Sequence, residues 1–153
     1  MTFGKGIFMG YLYHLTVEQL LKTIGIDVTN PRFGWRIFAQ GEDVVQKSFR
    51  IRLFDEKGLV WDSDVVNMGM TAIRYPAHPL KPMTNYRWEL VVQLSNGEEL
   101  TAEAKFMTGV MDFGLAADWI TLDPLDEEKR CPALRKEFVL EKAVRSAKLY
   151  TAG

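Results

Sequence analysis

The sequence predicts an all-β chain, a β-sandwich or barrel, on three observations. Apolar and polar residues alternate over most of residues 33–106, the period of a half-buried strand. Asn96-Gly97 separates two such runs, the strongest short-range hairpin signal. Turn signals recur at roughly 8–12-residue spacing, which suits short strands, and no helix longer than three turns is written between residues 26 and 112.

The elements follow in order. Thr16 to Gly25 carries two readings. Thr16 and Gln19 form a capping-box pattern, Val17, Leu20, Leu21 and Ile24 share a helical face, and Gly25 stands where a helix stops. The competing reading makes Leu15 to Leu20 the first strand, since local propensity is a weak prior. Phe33, Trp35 and Ile37 then alternate with Gly34 and Arg36, and Phe49, Ile51 and Leu53 with Ser48, Arg50 and Arg52. Asp55-Glu56-Lys57-Gly58 is a turn leading into Leu59-Val60-Trp61, and Met68 to Tyr75 holds a further strand ended by Pro76, Pro79 and Pro82. Tyr86, Trp88, Leu90, Val92 and Leu94 form one face of the clearest strand, opposed by Asn85, Arg87, Glu89 and Gln93. Its hairpin partner carries Leu100, Ala102, Ala104 and Phe106, and both turn residues, Asn96 and Gly97, are expected at positive φ. Gly109 and Gly114 mark a linker, Asp118-Trp119-Ile120-Thr121 a short anchor, and Asp123 to Arg130 a charged loop. Leu134 to Leu140 and Val144 to Tyr150 read as two more strands.

Composition narrows the function classes. Of 153 residues, 47% are hydrophobic and 25% charged, which excludes disordered, collagenous and coiled-coil classes. Lys plus Arg number 19 against 20 Asp plus Glu, a net charge of −1, so nothing draws the chain to nucleic acid or an anionic membrane. Cys131 is the single cysteine, which forbids an intrachain disulfide and fits a reducing compartment. His14 and His78 stand apart, leaving little material for zinc. No run approaches the ~18 apolar residues of a membrane span. The N-terminus, interrupted by Gly4, Gly6 and Gly10, does not read as a signal peptide, so a cytoplasmic location is expected.

Each candidate for chemistry has a simpler explanation. Asp123, Asp126, Glu127 and Glu128 form the only dense carboxylate cluster, but beside Pro124, Lys129 and Arg130 they read as a solvated linker face. Asp62-Ser63-Asp64 has no histidine nearby in sequence and is ordinary turn chemistry. Trp35, Trp61, Trp88 and Trp119 raise the idea of a sugar-stacking platform. Trp35 and Trp88, however, fall on apolar strand faces, Trp61 suits a cover for the sandwich edge, and Trp119 suits a pin for the linker. His78 reads as a surface residue and Cys131 as an ordinary thiol. Neither GxGxxG nor GxxxxGK[ST] occurs. No catalytic, cofactor-binding or metal-ligating residue is therefore assigned, and no cofactor is expected. Phe3, Ile7, Phe8, Met9, Tyr11 and Leu12 are too apolar for a free tail and suit an exposed edge or a neighbouring surface.

Residues Gly25-Ile26-Asp27-Val28-Thr29-Asn30-Pro31-Arg32-Phe33-Gly34-Trp35-Arg36 resemble the "GID…NPRFSW" element that opens bacterial α-L-rhamnosidases. Leu59-Val60-Trp61-Asp62-Ser63 is similar to that family's "LWDSG", and Asn85 to Val92 to its "TRYYWKVRV" strand. Leu134-Arg135-Lys136-Glu137-Phe138 with Ser146 to Tyr150 resembles the "LRKEF…ARLY" opening of the next domain. The set runs in order over roughly residues 15–153 and favours strand over helix for Leu15 to Leu20.

The resemblance implies an immunoglobulin/fibronectin type III-like antiparallel β-sandwich with a C-terminal strand pair. It divides the chain into an N-terminal extension (1–12), the sandwich (13–110), a linker (111–132) and the truncated start of a second sandwich (133–153). In that family a later (α/α) barrel carries the carboxylates of an inverting glycoside hydrolase. No position of this chain matches them. The expected function is a non-catalytic accessory domain of a rhamnosidase-like enzyme that packs against and positions downstream domains. The alternative is a free-standing module binding a rhamnose-containing glycan or a protein. Expected partners are the downstream domains, with neither nucleic acid nor membrane, and a homodimer through the N-terminal apolar segment or residues 133–153.

Overall fold

The computed structural model describes residues 10–21, 23–111, 135–144, 147 and 149. Eight strands follow in order: β1 (Tyr11–Val17), β2 (Thr23–Ile26), β3 (Arg32–Phe38), β4 (Gln46–Asp55), β5 (Gly58–Asp62), β6 (Ala72–Arg74), β7 (Asn85–Leu94) and β8 (Glu99–Thr108). One sheet has the order β1-β3-β6 and the other β2-β8-β7-β4-β5. The chain crosses between sheets after β1, β2, β3, β5 and β6, and only β4–β5 and β7–β8 are consecutive strands of one sheet, so the two layers form a sandwich of immunoglobulin-like kind.

The alternation read from sequence builds the core. Phe33 and Trp35 of β3 face Phe49, Ile51 and Leu53 of β4 and Trp88, Leu90 and Val92 of β7, all of them buried. Across the gap Phe33 meets Trp88 at 4.9 Å and Trp35 meets Phe49 at 4.9 Å between ring centroids, tilted in both pairs. Each fully buried aliphatic here favours the fold by about 1.5–3 kcal/mol relative to exposure. Trp61, half-buried on edge strand β5, lies 6.4 Å from Phe33 and meets Tyr75 edge-on at 5.4 Å, closing that side of the core. Tyr86, at the start of β7, accepts a hydrogen bond from the Lys81 backbone N–H at 2.9 Å, the tyrosine corner of such sandwiches.

Five expectations change. Thr16 to Gly25 is strand, turn, strand, with β1 already begun at Tyr11, inside the expected N-terminal extension. Glu18 and Gln19 both take positive φ (50° and 67°), and Val17 and Leu20 exchange backbone hydrogen bonds of 3.0 Å across them. Val17 is drawn into the core while Leu20, Leu21 and Ile24 stay exposed, so the helical face had nothing to pack on. The sandwich is also not wholly antiparallel, because β2 runs parallel to β8. Gly25, at φ 85°, makes the irregularity between Ile24 and Ile26 rather than a helix end.

The β7–β8 hairpin is real, but only Gly97 of its turn has positive φ. Leu94 N–H donates to the Glu98 carbonyl and Gly97 N–H to the Leu94 carbonyl, giving a three-residue loop closed by a left-handed glycine. The strand sought in Met68 to Tyr75 shortens to Ala72–Arg74, since Gln46 holds the carbonyls of Met68 and Met70 by side-chain hydrogen bonds. Finally, the expected strand over 134–140 is absent from residues 135–144, which are exposed and lack regular structure. A strand pattern becomes a strand only where a neighbour completes its ladder, and none does so for these residues among those described. Most of the second expected strand, 144–150, lies outside the described residues.

Candidate functional site

The outer face of the five-stranded sheet is an ionic ladder. Arg50 grips Asp62 with two hydrogen bonds of 2.8 and 2.6 Å, and Arg52 pairs with Glu89 at 2.6 Å. Arg87 bridges Glu89 and Glu103 while its guanidinium lies 4.3 Å above the Phe54 ring. The hydrogen bonds from Arg50 hold the Asp62 carboxyl below the usual carboxylate range. At the β4–β5 turn Asp55 is lowered in the same way, first by Lys81 and then by the Lys57 N–H. A glycosidase acid needs the opposite shift, upward. These carboxylates are braces, held ionised by fixed partners.

The remaining sequence candidates resolve similarly. Asp62 accepts the Asp64 N–H at 3.0 Å, and the Ser63 hydroxyl accepts the Ile51 N–H at 2.8 Å while donating to the Asp64 carbonyl at 2.8 Å. That triplet shapes the end of β5. Trp35 and Trp88 are core residues, as expected, and His78 is exposed. Asp123, Asp126, Glu127, Glu128, Trp119 and Cys131 lie outside the described residues. Among those described, no group of His, Cys, Asp or Glu is placed to hold a metal.

The other outer face is different. On the three-stranded sheet, Tyr11 pairs across strands with Phe38 and Tyr13 with Arg36, placing three aromatic rings on the outward side. Tyr11 stacks on Phe38 at 4.9 Å and 22°, and the three rings are 54%, 37% and 45% exposed for Tyr11, Tyr13 and Phe38. Between Tyr13 and Thr16 the β1–β3 register shifts by one residue, with His14 at φ 48°, a bulge that re-aims the histidine edge-on to Tyr13 at 5.2 Å. A groove of about 460 Å³ follows along the same sheet, with His14, Thr16, Gln19, Arg32, Arg36 and Thr71 in its wall. Its lining contains no carboxylate. Gly34 keeps the middle open, for a Cβ there would stand 2.8 Å from Thr16 Oγ1.

Sequence reasoning sought an aromatic platform among the tryptophans and missed the one made of Tyr11, Tyr13 and Phe38. The Tyr11-Leu12-Tyr13 alternation is the available signal, and the expected boundary between residues 12 and 13 divides it.

Comparison with known proteins agrees with the fold. The family model of Rha78A-like N-terminal immunoglobulin domains matches residues 12–112. An alpha-L-rhamnosidase of Streptomyces avermitilis is 31% identical over 122 residues, which take in 73% of this chain and 12% of that protein. Among solved structures, the alpha-L-rhamnosidase from Dictyoglumus thermophilum superposes with a TM-score of 0.61 at 25% identity, over 65% of this chain and 12% of that one. The Streptomyces avermitilis enzyme complexed with L-rhamnose gives 0.62 at 25% identity, over 67% and 11%. This chain thus spans about an eighth of the rhamnosidases it matches, at 12% of the curated relative. The matched stretch runs from β1 past the end of β8 and contains both sheets and the tyrosine corner, and the chain belongs to the family of Rha78A-like N-terminal immunoglobulin domains.

Proposed function

We propose that this chain is a non-catalytic accessory domain of an α-L-rhamnosidase-like glycoside hydrolase, packing against the downstream domains and positioning them. The observation that carries the reading is the match to a rhamnosidase of which the chain spans 12%. The electrostatics support it: the groove on the three-stranded sheet is lined by no carboxylate, whereas glycoside hydrolysis uses a pair of them. Leu20, Leu21 and Ile24 are 56%, 54% and 85% exposed beside edge strand β2, apolar surface suited to a neighbouring domain.

The purified chain given an aryl α-L-rhamnoside is expected to release the aryl group at the uncatalysed rate. Sustained turnover that co-purifies with the chain overturns the reading. In the Streptomyces avermitilis relative, removal of the matching segment is expected to lower the thermal midpoint and activity together. Unchanged values would count against a positioning role. The alternative of a binding module is favoured by one observation, the exposed aromatic face beside the groove.

A further inference from the structure

We propose that the outer face of the three-stranded sheet binds a carboxylate-bearing saccharide, with the pyranose over Tyr11, Tyr13 and Phe38 and its carboxylate at Arg36 and Arg32. This does not rest on the accessory role, and neither result below alters the hydrolysis assay.

Two independent observations meet at this face. The first is aromatic. Three partly exposed rings sit side by side on a regular sheet, where water-facing positions are ordinarily polar. Flat rings offer apolar surface to the C–H faces of a sugar, and the tyrosine hydroxyls keep a polar edge beside it. The second is charge. On the opposite outer face Arg50, Arg52 and Arg87 each hold a carboxylate. The Arg36 and Arg32 guanidinium groups have no carboxylate within ion-pair distance among the described residues, the Glu18 carboxylate beside Arg32 being taken up by the Arg32 backbone N–H at 2.6 Å, and both side chains are exposed in the wall of the groove. An arginine fork left open in this way matches a carboxylate in geometry and sign.

The groove joins the two. At about 460 Å³ it falls within the ~300–1,000 Å³ of small-molecule sites. Thr16, Gln19 and Thr71 supply hydroxyl and amide groups of both hydrogen-bonding senses for sugar hydroxyls. Tyr13 and Arg36 are directly opposite each other across the β1–β3 ladder, so ring and cation address one ligand from adjacent strands. A concave, polar-walled site beside rings suits a hydroxyl-rich ligand better than the flat apolar core of a protein interface.

The test is an amide-resolved NMR titration of the whole chain with digalacturonic acid, its methyl ester and sodium acetate. Saturable shifts confined to residues 11–21, 32–38 and 71–72 are expected with the acid, at a Kd of about 1 mM or tighter. The ester should bind at least about ten-fold more weakly and acetate should not saturate. Arg36→Gln and Tyr13→Ala, both exposed, should each weaken the acid at least about ten-fold with the spectrum otherwise retained, whereas Arg87→Gln on the other face should leave it unchanged. Absence of shifts, equal binding of the ester, equal binding of acetate, or shifts placed elsewhere each overturns the proposal. Burial of this face in a chain–chain dimer, seen as concentration-dependent sedimentation that the sugar does not affect, overturns it too.

Discussion

The Trp35 indole N–H donates to Gln46 Oε1 at 3.0 Å, and Gln46 Nε2 in turn donates to the carbonyls of Met68 at 2.9 Å and Met70 at 2.7 Å. One buried amide therefore ties β3 of one sheet to β4 of the other and to the crossing between β5 and β6. Trp88, also buried, at 0% exposure against 3% for Trp35, has an indole N–H with no partner among the described residues. The two tryptophans look alike in sequence and differ in what their nitrogen does.

Trp35→Phe and Trp88→Phe should consequently separate. Both lose ring volume, but only Trp35→Phe strands a buried acceptor, which costs about 1–3 kcal/mol beyond the cavity. Urea unfolding is expected to show Trp35→Phe as the more destabilised variant by at least about 1 kcal/mol. Equal losses would mean that the Gln46 bridge contributes nothing net.

Gly109 and Asp27 form a second coupled pair. A Cβ on Gly109 would lie 2.2 Å from Asp27 Oδ1, the same oxygen that accepts the Met111 N–H at 2.8 Å. Gly109→Ala should destabilise by about 1–3 kcal/mol, the usual cost of overpacking. In a double-mutant cycle Asp27→Ala should recover part of that loss, because the obstructing carboxylate is gone. Strict additivity would show that the clash relaxes elsewhere.

Acid should weaken the fold through Asp55 and Asp62. Both carboxyls are lowered in the folded state, Asp62 by Arg50 and Asp55 by Lys81. A carboxyl lowered on folding contributes stability above its unfolded value, near 4, and the contribution disappears as pH falls through the folded value. Asp62→Asn should therefore lower the Tm near neutral pH and converge with the parent chain in strong acid. A gap between the two that is independent of pH would refute this assignment.

The tyrosine corner can be measured directly. Burial pushes the Tyr86 hydroxyl up, as it does that of Tyr75, so both should ionise late in an alkaline absorbance titration. Tyr86→Phe removes the acceptor of the Lys81 N–H and should cost about 0.5–2 kcal/mol in chemical denaturation. An unaltered midpoint would deny the corner a stabilising role.

The longest strands were the most legible. In β7 the period of two persists for all ten residues, and in β4 and β8 it holds over Phe49 to Leu53 and Leu100 to Phe106, so these core faces emerge without any knowledge of partners. Thr16 to Gly25 was ambiguous because its spacing satisfies helix and strand alike, and the decision is made by β3 and β8, which are distant in sequence. The Asn96-Gly97 turn was located correctly and its geometry was not, since one added loop residue moves positive φ to the glycine alone. The candidate face was illegible for a related reason. Tyr13 and Arg36 are 23 positions apart and meet only through the β1–β3 ladder, and the His14 bulge that shapes the groove has no local signature.

The parallel pairing of β2 with β8 bears on how the domain answers tension. The chain enters the sandwich through β1 and β2 and leaves it from β8, so a pull applied between the two ends drags β2 and β8 past each other lengthwise. The pairs from Thr23–Phe106 to Ile26–Thr108 are then loaded together in shear instead of peeling one after another. A tether strung through this domain would meet a brittle clasp at its first strands, which gives way all at once or not at all.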